Sequence, residues 1–211
     1  YANPTDKVRM QKEPKVLIQT FSDDEVRSLL SAFDYSTYLS ARNKMILAIA
    51  FDTGARNTEI CQIKREDIHD NVILIHGKGN KERHVPISPY LQKVMLKYER
   101  MRDYYFDDKN IKFDNYLLSR TGQPLTKEAL EHIFNQANQK AHIRDTIRCS
   151  PHTARHYFAQ ACLRNGLDLY SVSRLLGHEN INITKRYLQS LEDKSIVDMA
   201  SKASPLLNLR I

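Results

Sequence analysis

Residues 150–157 of the chain read SPHTARHY and contain two histidines and an arginine. Ser150 before Pro151 is typical of a helix start, with serine as N-cap and proline at the first helical position. His152 and Arg155 are three residues apart, so they share a face of the first turns, where backbone N–H groups are also free. This face is suited to binding an anion such as a phosphate.

Two other interpretations of the same stretch exist. His152 can pack locally while Arg155 pairs with a carboxylate, or His152 and His156 can bind a metal at i, i+4 spacing. The zinc motif HExxH requires glutamate after the first histidine, and Thr153 stands there instead. We therefore expect no metal site.

Two further segments place a cationic side chain at a structural break. In DTGARNTE, a glycine interrupts a helical pattern and Arg56 follows, three residues before Glu59. In GKGNK, Lys78 stands between two glycines at the predicted tip of a hairpin, where it could reach a phosphate. The alternatives are a surface Arg–Glu pair and a solvated turn lysine.

A fourth segment, LLGHENINITKRY, joins a histidine to a tyrosine. Gly177 is expected to end a helix and leave His178 on a loop, with Tyr187 nine residues later. Taken alone, Tyr187 is one of eleven tyrosines, and packing would explain it.

In combination and in this order, the segments resemble the active-site set of the tyrosine recombinase (phage integrase) family, which includes Xer-type recombinases and transposon integrases. TGARNTE, GKGNKERHVPI, HTARH and LLGHENINITKRY match in residue type and spacing, and the resemblance covers nearly the whole chain after residue 20. It implies site-specific DNA recombination, in integration, excision or transposition, through a 3′-phosphotyrosine intermediate.

The resemblance also implies the role of each residue. Arg56 and Arg155 would hold the scissile phosphate, Lys78 would protonate the departing 5′ oxygen, and Tyr187 would be the nucleophile. His152 and His178 would hydrogen-bond the phosphate or assist proton transfer, and Glu59 would support the site. Nearby basic residues are expected to contact DNA: Lys81, Arg83, Arg148, Lys185 and Arg186.

The chemistry of these side chains agrees with such a reaction. Planar guanidinium groups match phosphate oxygens through two parallel hydrogen bonds. A phenol with an ordinary pKa near 10 needs cationic surroundings or a nearby base to attack at neutral pH. Since a phosphotyrosine bond conserves the energy of the cut strand, we expect no nucleotide or metal cofactor.

Two alternatives to a recombinase follow from the same residues. A type IB topoisomerase resembles this active site but relaxes DNA; the compact length and the LLGH segment favour a recombinase. A DNA-binding regulator on the same fold would have lost catalysis, and the intact Tyr187, Arg56 and Arg155 argue against it.

The elements that must position these motifs are mainly helical. A capping box at Ser22 and Glu25 starts the first predicted helix, residues 42–51 form a buried one, and others cover 89–104, 126–141, 151–165 and 168–176. Residues 71–87 predict a hairpin, and 116–119 a third strand. The predicted fold is mainly α with a small three-stranded antiparallel sheet (α+β), as in tyrosine recombinase catalytic domains.

Three parts of the chain are predicted. Residues 1–20 are interpreted as a basic arm from an N-terminal core-binding domain, and 21–190 as the catalytic domain. Residues 191–211 are expected to form a short helix and an apolar tail. By resemblance, the tail docks on a neighbouring protomer in a tetramer on DNA, and docking on its own core is the alternative.

Composition agrees with a DNA-binding protein. The 211 residues carry a net charge of +7, and residues 142–190 hold seven Arg or Lys against three Asp or Glu. Three cysteines without a CxxC pair indicate reduced thiols and a cytoplasmic location. The longest apolar run, residues 45–51, is too short to span a membrane. We expect double-stranded DNA as the partner and no membrane association.

Overall fold

The computed structural model describes residues 18–77, 79, 81–188 and 197. This part of the chain contains eight α-helices, a short 3₁₀ helix at Arg65–Asp67 and one β-hairpin. The helices are α1 Asp23–Ser31, α2 Tyr38–Thr53, α3 Asn57–Gln62, α4 Pro89–Phe106, α5 Lys127–Ala141, α6 Pro151–Arg164, α7 Leu169–Leu176 and α8 Ile181–Leu188; the strands are β1 Val72–Gly77 and β2 Lys81–Pro86.

Helix α2 forms the centre of the main core. It is apolar on nearly every side, and its residues from Met45 to Phe51 are all buried. Helices α1, α3, α4, α5 and α6 pack around it. The helix ends at Gly54, whose φ of 60° is the left-handed conformation that glycine adopts at low cost. The predicted break at this glycine is therefore confirmed.

Helix caps explain why the other helices begin where the sequence predicts. The Ser22 hydroxyl accepts from the Glu25 N–H at 3.2 Å, and the Glu25 carboxylate accepts from the Ser22 N–H at 2.7 Å. Ser150 accepts from the Thr153 N–H and so starts α6 at Pro151. Gly177, at φ 65°, ends α7 as predicted.

The sheet has two strands, so the predicted third strand is wrong. β1 and β2 pair antiparallel from Val72 opposite Pro86 to Gly77 opposite Lys81. Residues 116–119 make only isolated backbone contacts, because side chains take their carbonyls: the Tyr98 hydroxyl donates to the Tyr116 carbonyl and the Tyr38 hydroxyl to that of Leu118. A short buried apolar run is compatible with a strand or with a loop inside the core.

A second, smaller apolar cluster joins α6, α7 and α8. It contains Phe158 and Ala159 from α6, Val172 and Leu176 from α7, and Tyr187 from α8. This cluster fixes the three helices that carry the HTARH and LLGHENINITKRY motifs.

Several predicted features fall outside the described residues. They are Lys78, the arm up to residue 17 and, except for Val197, the C-terminal segment from residue 189. Among the helices that the structure describes, none combines the length and apolar character needed to cross a membrane.

Replacing Gly54 by alanine should destabilise the fold. A Cβ at this position would lie 2.4 Å from Cδ1 of Phe158 and 3.0 Å from Cδ2 of Leu176. Left-handed strain and overpacking together should lower the free energy of unfolding by about 2 to 4 kcal/mol. Urea denaturation measures this loss.

Gly166→Ala is the matched control, because Gly166 is also left-handed at φ 93° but a Cβ there meets nothing within 4 Å. Equal losses in the two variants would contradict the claim that the α2–α6–α7 junction is closely packed at Gly54.

Candidate active site

Glu59 is a buried carboxylate that binds two arginines. Arg56 precedes α3 and donates from its backbone N–H to Oε2 at 2.7 Å and from Nη1 to Oε1 at 2.8 Å. Arg83, from β2, donates from Nη1 to Oε1 at 3.0 Å and from Nη2 to Oε2 at 2.7 Å. Burial alone would raise the pKa of Glu59, but these hydrogen bonds and charges outweigh it and lower the pKa to about 2.

Arg83 lies elsewhere than the sequence interpretation placed it. We expected it to contact DNA, but its guanidinium points inward, with its side chain only 10% exposed. Besides Glu59, it binds the Leu175 carbonyl. Arg83 therefore ties the hairpin to α3 and α7.

The C-terminal end of α7 accepts hydrogen bonds from three arginines. Backbone carbonyls at a helix end have no intrahelical partner and carry partial negative charge. The contacts are Arg83 Nε to Leu175 O at 2.7 Å, Arg155 Nη2 to Leu176 O at 2.7 Å and Arg56 Nη2 to Gly177 O at 3.3 Å. One helix end thus gathers three guanidinium groups, from the residue before α3, from β2 and from α6.

Arg155 connects two glycine-terminated helix ends. Its Nη1 also donates to the Gly54 carbonyl at 2.8 Å, so the side chain bridges the ends of α2 and α7. It is 5% exposed. Burial, and then the charge of Arg56, lowers the pKa of Arg155 to about 10, which leaves it charged at neutral pH.

His178 lies on the loop between α7 and α8, beside the arginines. Its Nδ1 is 2.7 Å from the hydroxyl of buried Thr184. Burial lowers the pKa of His178 to about 4, and the charges of Arg155, Arg56 and Arg83 act in the same direction. The ring is therefore neutral at pH 7.

The Tyr187 hydroxyl lies 2.8 Å from Nδ1 of His156. Tyr187 belongs to the α6–α7–α8 cluster and is 3% exposed. The sequence interpretation considered His156 only as a metal ligand and missed this contact. Its position directly after Arg155, on the same helix, was the available signal.

The other predicted site residues lie at the surface or outside the described part. His152 is exposed, and its ring meets that of His156 edge-on at 4.2 Å between centroids. Lys81 pairs with Glu179 at 2.6 Å. The remaining predicted DNA-contacting residues, Arg148, Lys185 and Arg186, are exposed.

Lys78 is not described, but the hairpin end next to it borders the site. A Cβ added at Gly77 would lie 3.8 Å from Oε1 of Glu59. Across the described ranges, no group of three or more His, Cys, Asp or Glu side chains could hold a metal ion.

Residues 19–194 match the phage integrase family over most of the chain. The chain belongs to this family. Tyrosine recombinase XerC of Bacillus pumilus (strain SAFR-032) is 33% identical over 202 residues, which cover 90% of this chain and 63% of that protein. Tyrosine recombinase XerD of Listeria monocytogenes serotype 4b (strain F2365) is 34% identical over 187 residues, covering 88% of this chain and 62% of XerD.

Solved structures agree with this assignment. The crystal structure of XerA recombinase superposes with a TM-score of 0.74 at 25% identity, covering 92% of this chain and 66% of that one. XerH recombinase bound to a palindromic difH substrate shares the fold, with a TM-score of 0.71 at 24% identity over 92% of this chain and 54% of XerH. This phage integrase chain therefore spans somewhat less than two thirds of the length of its XerC and XerD relatives.

In this phage integrase chain, Glu59 should make stability depend on pH. The pKa of Glu59 is depressed in the folded state to about 2, so its contribution is complete above the unfolded value near 4.3 and is lost as pH falls toward 2. The depression corresponds to about 3 kcal/mol. Relative to the unsubstituted protein, Glu59→Gln should be less stable at pH 6, and the difference should shrink toward pH 2.

Urea denaturation from pH 6 to pH 2 measures this difference. Glu131→Gln, which changes an exposed glutamate on α5, is the control and should leave the curve unchanged. Parallel curves for the unsubstituted protein and Glu59→Gln would show that folding does not lower the pKa of Glu59.

Proposed function

We propose that this chain is the catalytic domain of a site-specific tyrosine recombinase, which cuts and rejoins DNA strands through a 3′-phosphotyrosine bond at Tyr187. The observation that carries the proposal is one junction of helix ends. There, Arg56 and Arg155 bind adjacent carbonyls of the α7 C-terminus, and the charge of Arg155 acts on both His178 and Tyr187.

The scissile phosphate would bind to Arg56 and Arg155. Each guanidinium has five N–H donors, and the described contacts engage two of them. The rest can bind non-bridging oxygens, on which negative charge builds up in the transition state. Because the protein contacts already fix both side chains, little reorganisation is needed when the phosphate arrives.

His178 would donate a hydrogen bond to the same phosphate. When Nδ1 accepts a hydrogen bond from the Thr184 hydroxyl, the neutral ring carries its proton on Nε2. Lys78, at the hairpin tip beyond Gly77, would protonate the departing 5′ oxygen. The nearness of Gly77 to Glu59 supports this placement.

No nucleotide or metal ion is required in this scheme. The phosphotyrosine bond replaces a phosphodiester bond of similar energy, so the reverse attack of the 5′ hydroxyl rejoins the strand. Arginines supply the electrostatic stabilisation that a metal would otherwise give.

The proposed partner is double-stranded DNA, contacted by exposed basic residues around the site: Lys81, Arg148, Lys185 and Arg186. Phosphate contacts of this kind make binding strongly salt-dependent. XerH has been crystallised with its difH substrate, and a lambda integrase tetramer with a Holliday junction. By analogy we propose a tetramer on DNA, acting in the cytoplasm, with the N-terminal arm and the C-terminal tail linking it to a further domain and to neighbouring protomers.

Tyr187→Phe should abolish covalent attachment to DNA. The protein is incubated in EDTA with fragments of genomic DNA from its own organism, and the fragments that stay attached in SDS are sequenced. The site found is then built as a duplex with a nick beside the cleavage position, which traps the adduct. The unsubstituted protein should form the adduct and Tyr187→Phe none, because phenylalanine lacks the attacking oxygen.

An adduct that persists in Tyr187→Phe would show that another residue is the nucleophile. An adduct that requires Mg²⁺ would contradict the metal-free scheme. Binding without any adduct in the unsubstituted protein would favour a DNA-binding regulator.

Arg155→Lys should reduce the rate of adduct formation by about 100-fold or more, since an ammonium cannot bridge two helix ends and still present a planar pair of donors. Arg164→Lys, on the same helix but paired with Asp23, is the matched control and should react normally. Equal rates for Arg155→Lys and the unsubstituted protein would show that Arg155 does not bind the scissile phosphate.

A further inference from the structure

The Tyr187 ring is fixed so that its hydroxyl meets one nitrogen of His156. The O–N distance is 2.8 Å, and the ring centroids are 5.4 Å apart at 58°. Both rings lie between α6 and α8, and the α6–α7–α8 cluster encloses the tyrosine. The contact therefore belongs to the packed part of the site.

The surroundings of Tyr187 do not ionise it. Burial raises the pKa of the Tyr187 hydroxyl above its ordinary value, and the charges of Arg155 and Arg186 reverse this only in part. The hydroxyl is thus protonated at neutral pH. Cationic neighbours alone do not activate this nucleophile, so its proton needs an acceptor.

His156 has the protonation state that an acceptor needs. Burial lowers the pKa of His156 to about 4, and His152, Arg155 and Arg186 act in the same direction. His178, on the loop before α8, also interacts electrostatically with His156. At pH 7 the imidazole is neutral, so Nδ1 can accept the phenolic hydrogen bond while Nε2 carries the ring proton.

We propose that His156 is a catalytic residue, the general base that accepts the phenolic proton of Tyr187 during strand cleavage. This inference rests on the proposed function. As the Tyr187 oxygen forms its bond to phosphorus, the phenolic proton passes to Nδ1 of His156 and the bond from phosphorus to the 5′ oxygen breaks. The leaving oxygen takes its proton from a separate donor, for which Lys78 is expected.

Rejoining reverses the transfer. The incoming 5′ hydroxyl attacks phosphorus and gives its proton to the donor group, the bond to Tyr187 breaks, and the His156 imidazolium returns its proton to the phenolate. The same two residues therefore serve both directions without an external acid or base.

Binding of DNA would strengthen this base. A phosphate at Arg56 and Arg155 brings negative charge next to Arg155, whose positive charge adds to burial in lowering the pKa of His156. The imidazolium is then less disfavoured, so the pKa rises toward its ordinary value. Proton acceptance is thus favoured when substrate is present and resisted when it is absent.

His152 is less suited to this role. It is exposed, and within the described residues its ring nitrogens make no hydrogen bond to Tyr187. It meets His156 edge-on and so limits how the His156 ring can turn. The sequence interpretation gave proton transfer to His152 or His178, and the geometry points to His156 instead.

His156→Asn separates base catalysis from hydrogen bonding. The asparagine Oδ1 can occupy nearly the place of Nδ1 and accept the phenolic hydrogen bond, but it cannot hold the proton. Adduct formation on the nicked duplex should slow by about 100-fold or more. His132→Asn, on the exposed face of α5, is the matched control and should react normally.

A substrate with sulfur in place of the bridging 5′ oxygen distinguishes base from acid. Thiolate leaves without protonation, so this substrate should restore cleavage in Lys78→Ala and leave His156→Asn slow. Thermal unfolding and DNA binding of His156→Asn should match the unsubstituted protein, and His156→Gln provides a second variant if asparagine disturbs folding.

The pH profile gives an independent readout. Cleavage by the unsubstituted protein should fall at low pH as His156 becomes protonated, and His156→Asn should lack this limb. Cleavage by both variants at the unsubstituted rate, or rescue of His156→Asn by the sulfur substrate, would overturn the proposal while Tyr187 remains the nucleophile. Absence of an adduct in the unsubstituted protein would instead overturn the proposed function, and this inference with it.

Discussion

The site depends on the C-terminal end of α7, where three consecutive carbonyls each hold an arginine. Guanidinium groups repel one another, and the pKa of Arg155 is lowered by its burial and then by the charge of Arg56. Carbonyls without intrahelical partners offset this cost, since they carry the negative end of the helix dipole. Glu59 adds the only full negative charge among the described groups bound to these arginines.

This arrangement links the fold to the site through two glycines. Gly54 ends α2 and Gly177 ends α7, and each left-handed residue leaves backbone carbonyls turned toward Arg155 or Arg56. Both helices thus end at positions where one arginine, Arg155, can donate hydrogen bonds to carbonyls of both ends. The carbonyls hold the guanidinium groups of Arg56 and Arg155, and Glu59 also binds Arg56. The remaining donors of both arginines are thus fixed in direction before the proposed DNA substrate arrives, which is the preorganisation that electrostatic catalysis requires.

Features with a local cause were predictable from the sequence. Ser22, Ser150 and Gly177 determine helix ends through their own backbone geometry, and all three were confirmed. Features with a nonlocal cause were not. The inward turn of Arg83 depends on Glu59, 24 residues away, and on α7, 92 residues away. The Tyr187–His156 contact needs α6 and α8 to pack together, and spacing within one helix does not reveal that.

The net charge of the site is better matched to a reacting phosphate than to a bound phosphodiester. Arg56, Arg83 and Arg155 carry three positive charges against one from Glu59, and the nearby His156 and His178 are neutral at pH 7 because their pKa values are lowered to about 4. The excess exceeds the single charge of a phosphodiester. In the proposed reaction, the Tyr187 oxygen adds to phosphorus and its proton passes to His156, so a second negative charge develops on the phosphoryl oxygens. In that scheme the arginines would stabilise the transition state more than the bound substrate, which is the condition for lowering the barrier.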